Sequence, residues 1–75
     1  MKILRKEGIF LKNVAWEDVL KRIISARESK GLTKSDLARM IGVSLEFVSQ
    51  MERGKKKPST DTLIKISNEL KLNFF

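Results

Sequence analysis

Cysteine and histidine are both missing from this chain of 75 residues. Their absence removes disulfides, thiolate nucleophiles, most zinc sites and imidazole acid–base chemistry. Tyrosine is missing too, and aromatics are only 7% of the chain, so the usual stacking platform for single-stranded RNA is not there. No apolar run approaches the ~20 residues that span a bilayer. The opening Met1-Lys2-Ile3-Leu4-Arg5-Lys6-Glu7 is too charged to begin a signal peptide. There is no Gly-rich phosphate loop and no pair of carboxylates with an evident cleft, so the expectation is a chain that is not an enzyme and needs no cofactor or metal. What remains is a soluble, cytoplasmic protein with no membrane contact.

What the chain does have is positive charge. Its formal net charge is +7 and its pI is about 10.1. A basic balance of that size points to a polyanion, most often nucleic acid; the plainer reading is a lysine-rich surface that serves solubility. The length allows one domain with a modest core, which oligomerisation would help to stabilise.

After residue 15 the pattern reads as short helices with start and stop residues between them. The first is expected from about Trp16 to Lys30: Val19, Ile23 and Ala26 share a face that Leu20 and Ile24 widen, and Gly31 ends it. Thr33 is placed to cap the second, with Asp36 three residues on as its reciprocal partner. Leu37, Ala38 and Ile41 form its inner face and Gly42 stops it. Ser44 caps a third helix, Leu45 to Arg53, with Val48 and Met51 inward and Gly54 at its close. Ser59 caps a fourth, with Asp61 in its first turn and Leu63, Ile66 and Leu70 on its core side. Residues 1–15 are a separate extension that fits a hairpin, a basic arm or an extra helical turn, which Trp16 could anchor.

Two short capped helices joined by a Gly-containing turn fit a helix-turn-helix unit. In such a unit Val48 pins the third helix to the core and leaves Leu45, Glu46, Ser49 and Gln50 on the far face, where they can reach base edges in a major groove. Gln50 can pair with adenine through its amide. Glu46 can accept from cytosine N4, or simply be an anion tolerated in the groove. Leu45 suits a thymine methyl or another protein surface, and Phe47, on the flank, suits packing better than base contact. Arg53, Lys55, Lys56 and Lys57 follow directly and suit backbone phosphate. The helix starts at Thr33 and Ser44 leave N–H groups that suit an anion.

The stretch GLTKSDLARMIGVSLEFVSQMERGKKKPSTDTLIKISNELKL resembles the helix-turn-helix domain of the lambda-repressor and Cro class, the XRE family. The matching pieces are Gly31-Leu32-Thr33, Leu37-Ala38, Ile41-Gly42-Val43-Ser44, Val48-Ser49, Met51-Glu52-Arg53-Gly54 and Pro58-Ser59, within a similarity covering about Val19 to Phe75. The resemblance implies an all-α fold, a compact bundle of four or five helices spanning residues 16–75 behind the extension. It implies a sequence-specific transcriptional regulator, a repressor acting as a homodimer on a palindromic double-stranded DNA operator. The alternative on the same fold is an antitoxin or adaptor that binds a protein partner.

Carried over position by position, the resemblance puts Leu45, Glu46, Ser49 and Gln50 against bases and Ser44 against base or backbone. It puts Thr33, Lys34 and the basic loop against phosphate, and makes Arg27 and Glu52 an internal salt bridge. The family's fifth helix would begin near Asn73, where two residues remain. Either that helix is lost or the chain is a fragment of a longer regulator, and Phe74 and Phe75 then cover a dimer seam or begin the missing core.

Overall fold

The structure, a computed structural model, describes residues 16–73. The expectations for residues 1–15, Phe74 and Phe75 fall outside it. Four helices follow one another: α1 (Trp16–Ser29), α2 (Lys34–Ile41), α3 (Leu45–Glu52) and α4 (Thr60–Leu70). No strand occurs among the described residues. None of these helices is long and apolar enough to cross a membrane.

The starts of α2, α3 and α4 are made by side-chain oxygens that take up backbone N–H groups with no partner inside the helix. Thr33 Oγ1 accepts from the Asp36 N–H at 3.0 Å, and Asp36 Oδ2 accepts from the Thr33 N–H at 2.8 Å, a reciprocal box. Ser44 Oγ accepts from Phe47 N–H at 3.0 Å and Ser59 Oγ from Thr62 N–H at 3.2 Å. The stops of α2 and α4 are left-handed residues. Gly42 has φ +75° and sends its N–H back to the Ala38 carbonyl, which turns the chain sharply between α2 and α3. Lys71 does the same after α4 at φ +58°, in a conformation that strains a residue with a Cβ and not a glycine.

Two ends differ by a residue from the sequence reading. α1 stops at Ser29, because the Lys30 N–H is shared between the Ala26 and Arg27 carbonyls and the last turn tightens. α3 stops at Glu52, and Arg53 serves as its C-cap at ψ +3°.

α1 and α2 each pack against both α3 and α4. Leu20, Ile23, Leu37, Ala38, Ile41, Val48, Met51, Ile66 and Leu70 fill the space between them, and Trp16, Val19, Ala26, Leu32, Val43, Phe47, Leu63 and Leu72 close its rim. Every helix supplies apolar residues three or four apart, so each contributes one stripe and turns its remaining surface outward. α2 and α3 have eight residues each, too short to persist alone in water. Their helicity depends on this shared core.

Candidate nucleic-acid interface

α3 divides its residues by angle. Val48 and Met51 are wholly buried, with Phe47 half-buried beside them. At 100° per residue the opposite side carries Leu45, Glu46, Ser49 and Gln50. Leu45 is 49% exposed, large for a leucine in so small a domain, and Glu46 is exposed too. Ser49 and Gln50 are half-buried. Gln50 Nε2 donates to Glu46 Oε2 at 3.1 Å, one turn back. Two polar side chains of this face are therefore bonded to each other, which periodicity could not reveal.

Positive charge follows at once. Arg53, Lys55, Lys56 and Lys57 are all exposed. The loop that carries them is tied to α3 through its backbone, with the Lys55 N–H on the Gln50 carbonyl at 2.8 Å and the Gly54 N–H on the Met51 carbonyl at 2.9 Å. Gly54, at φ +80°, makes that turn back toward α3. The cations thus leave the helix from a fixed point and keep their side chains in water.

The start of α2 carries the reciprocal box that the sequence predicts, and the box bears on what can approach it. The N–H groups of Thr33 and Asp36 are already taken by the reciprocal box, so they are not open to an outside anion. Asp36 also places a carboxylate there. The Thr33 backbone N–H, then the Thr33 hydroxyl, then Arg39 hold that carboxyl below the usual carboxylate range. Arg39 Nη2 meets Asp36 Oδ1 at 2.6 Å. Exposed Thr33 and half-buried Lys34 still lie at this helix start, but a phosphate arriving there meets a neighbouring anion. At the start of α3, the Ser44 oxygen is engaged with Phe47 N–H, and its own O–H remains able to donate.

Arg27 stands apart from the other cations because it is buried. Its Nε donates to Glu52 Oε2 at 2.8 Å and its Nη2 to Glu52 Oε1 at 3.1 Å. Its Nη1 donates to the Leu32 carbonyl at 2.7 Å. One guanidinium therefore joins α1, the α1–α2 loop and α3. The bond to Leu32 had no signal in the sequence.

The family model described as helix-turn-helix matches residues 23–75. The chain belongs to this helix-turn-helix family. In its terms α2, the turn Gly42–Ser44 and α3 are the unit, α1 and α4 are the brace behind it, and the outward face of α3 is the surface a second helix presents. Among relatives, a Mycobacterium tuberculosis (strain ATCC 25618 / H37Rv) protein called an uncharacterized HTH-type transcriptional regulator is 41% identical over 51 residues, covering 68% of this chain and 36% of that protein. The HTH-type transcriptional regulator ImmR of Bacillus subtilis (strain 168) is 38% identical over 48 residues, covering 64% of this chain and 38% of its own length. The helix-turn-helix chain thus spans little more than a third of the curated relatives it matches.

Proposed function

We propose that this chain is the DNA-reading part of a transcription regulator, which binds double-stranded DNA sequence-specifically and, as a homodimer on a palindromic operator, represses by occupying the site. The observation that carries the reading is the division of α3. One side is sealed into the core through Val48 and Met51, the other presents Leu45, Glu46, Ser49 and Gln50, and exposed Arg53, Lys55, Lys56 and Lys57 follow immediately. A major groove takes a helix of this kind, whose outward side chains meet base edges while cations beside it meet phosphates. Ser44 takes the groove's edge, and Thr33 and Lys34 lie toward the backbone. The relatives' names as transcriptional regulators support the same reading. The dimer rests on the resemblance and on the small core, with half-sites about 10 bp apart centre to centre.

Selection of bound duplexes from random DNA tests this directly. Enrichment of a two-fold sequence, bound with steep salt dependence, is the expected result. Recovery of unrelated sequences would overturn sequence-specific reading. A single asymmetric half-site, footprinted under one copy of the chain, would overturn the dimer.

A further inference from the structure

Gln50 and Glu46 are joined across one turn of α3 by the bond from Nε2 to Oε2, 3.1 Å long. An ionised carboxylate has no hydrogen to give, so the amide can meet it only through nitrogen. The two-fold ambiguity of a free glutamine amide is thereby removed: Nε2 faces Glu46 and Oε1 faces away. Gln50 keeps one N–H and the acceptor capacity of Oε1. A donor and an acceptor side by side are what adenine engages through N7 and its N6 amino group.

We infer that Glu46 sets the base preference of α3 by holding the Gln50 amide in one orientation, and not by touching a base of its own. The inference rests on the DNA-reading role proposed above and divides the labour within it. Gln50 makes the contact and Glu46 is a positioning residue. Burial fits that division, since Gln50 is half-buried and so partly fixed along its stem, while Glu46 is exposed. Electrostatics fits it as well. A carboxylate aimed alone into a groove walled by phosphates is repelled, whereas one bonded to an amide has its charge partly answered inside the protein.

Binding titrations on the selected duplex and its single-base variants test the inference. Gln50→Ala first marks the base pair that Gln50 reads, where about tenfold or more of the discrimination is lost. Glu46→Ala then lowers discrimination at that same base pair by about two- to tenfold, the cost of ordering a side chain that has been set free. The double variant is no worse there than Gln50→Ala alone. Glu46→Gln, whose amide can turn either oxygen or nitrogen toward Gln50, no longer fixes one orientation and falls between the parent and Glu46→Ala in discrimination, although both Glu46 variants shed a negative charge and bind every duplex more tightly. If Glu46→Ala shifts preference at a different base pair, additively with Gln50→Ala, then Glu46 reads its own base and the inference is wrong. It is equally wrong if Glu46→Ala keeps the parent's discrimination at the base pair that Gln50 reads. In the free protein, the Gln50 side-chain amide protons change their NMR shifts in Glu46→Ala; unchanged shifts overturn the pairing without reference to DNA. Shifts that do change, in a chain that prefers no duplex, place the failure in the DNA-reading role and end the inference with it.

Discussion

Arg27 and Glu52 lie 25 positions apart in the chain and face each other through two hydrogen bonds, Nε to Oε2 at 2.8 Å and Nη2 to Oε1 at 3.1 Å. Their side chains are only 9% and 5% exposed. Removing one partner leaves the other's charge buried, which costs about 3–5 kcal/mol for a buried pair, although Arg27 would keep the more distant Glu28 carboxylate at 3.6 Å. Arg27→Ala is therefore expected to lower the melting temperature sharply, and it also leaves the Leu32 carbonyl without its donor. Glu52→Ala is expected to do the same, although deleting an anion would otherwise favour DNA. The double variant should be less damaging than the two single losses summed. Thermal unfolding of the four proteins checks this. If Arg27→Ala keeps the parent melting temperature and loses DNA with a shallower salt slope, the residue grips phosphate instead.

Asp36 gives the fold an acid-sensitive contact. Its carboxyl is held below the usual carboxylate range in the folded chain, first by the Thr33 N–H, so the unfolded chain takes up a proton there before the folded one does. That contribution is complete above the unfolded value and fades as pH falls through the lower, folded one. In Asp36→Asn, stability should fall less steeply with acid across that window. Parallel curves of melting temperature against pH for the two proteins would contradict this. At neutral pH, Thr33→Ala should cost about 1 kcal/mol through the lost cap.

Lys55, Lys56 and Lys57 can be removed without touching the core, since all three are exposed and the Lys55 bond to Gln50 uses backbone atoms. Alanine at all three should leave stability within about 0.5 kcal/mol. Binding should weaken on every DNA sequence alike. The log–log salt slope should become shallower by about 0.9 for each phosphate that no longer meets a lysine. A slope equal to the parent's would make the loop ordinary solvated surface.

Two left-handed positions should respond with opposite sign. Gly42 has φ +75°, and a Cβ built there meets nothing within 4 Å, so Gly42→Ala destabilises through backbone conformation alone, by about 1 kcal/mol. Lys71 already carries that strain at φ +58°. Lys71→Gly should relieve it, less the extra freedom glycine gives the unfolded chain, for a net gain of about 0.5 kcal/mol. Chemical denaturation of both variants reads the two signs directly.

The helices were legible because their boundaries are chemical. Thr33, Ser44 and Ser59 bring side-chain oxygens to helix starts, and Gly31, Gly42 and Gly54 bring positive φ to helix ends. Lys71 was not legible as a stop, because nothing in a lysine announces a left-handed conformation; the αL turn after Leu70 is set by its N–H reaching the Ser67 carbonyl. The outward side of α3 follows from helical period and the inward pull of Val48 and Met51. How that side is wired does not. A spacing of four puts Glu46 near Gln50 but cannot say that the carboxylate takes the amide hydrogen. Thr33 and Asp36 read as a box, yet the consequence that their N–H groups are closed to an incoming anion emerges only once both bonds are seen.

Within eight residues, α3 keeps what holds the domain together apart from what it shows the outside. Val48 and Met51 cannot change without a cost in packing, while Leu45 and Glu46 have no part in the core. Ser49 and Gln50 are half-buried, and the Gln50 amide is bonded to Glu46. On the DNA-reading role proposed above, an outward substitution at Leu45 changes what this face offers while the core keeps the domain above the stability threshold below which variants are purged. On that role retargeting needs no compensating change in the core, and the outward side chains that must change together are Glu46 and Gln50, which are bonded to each other.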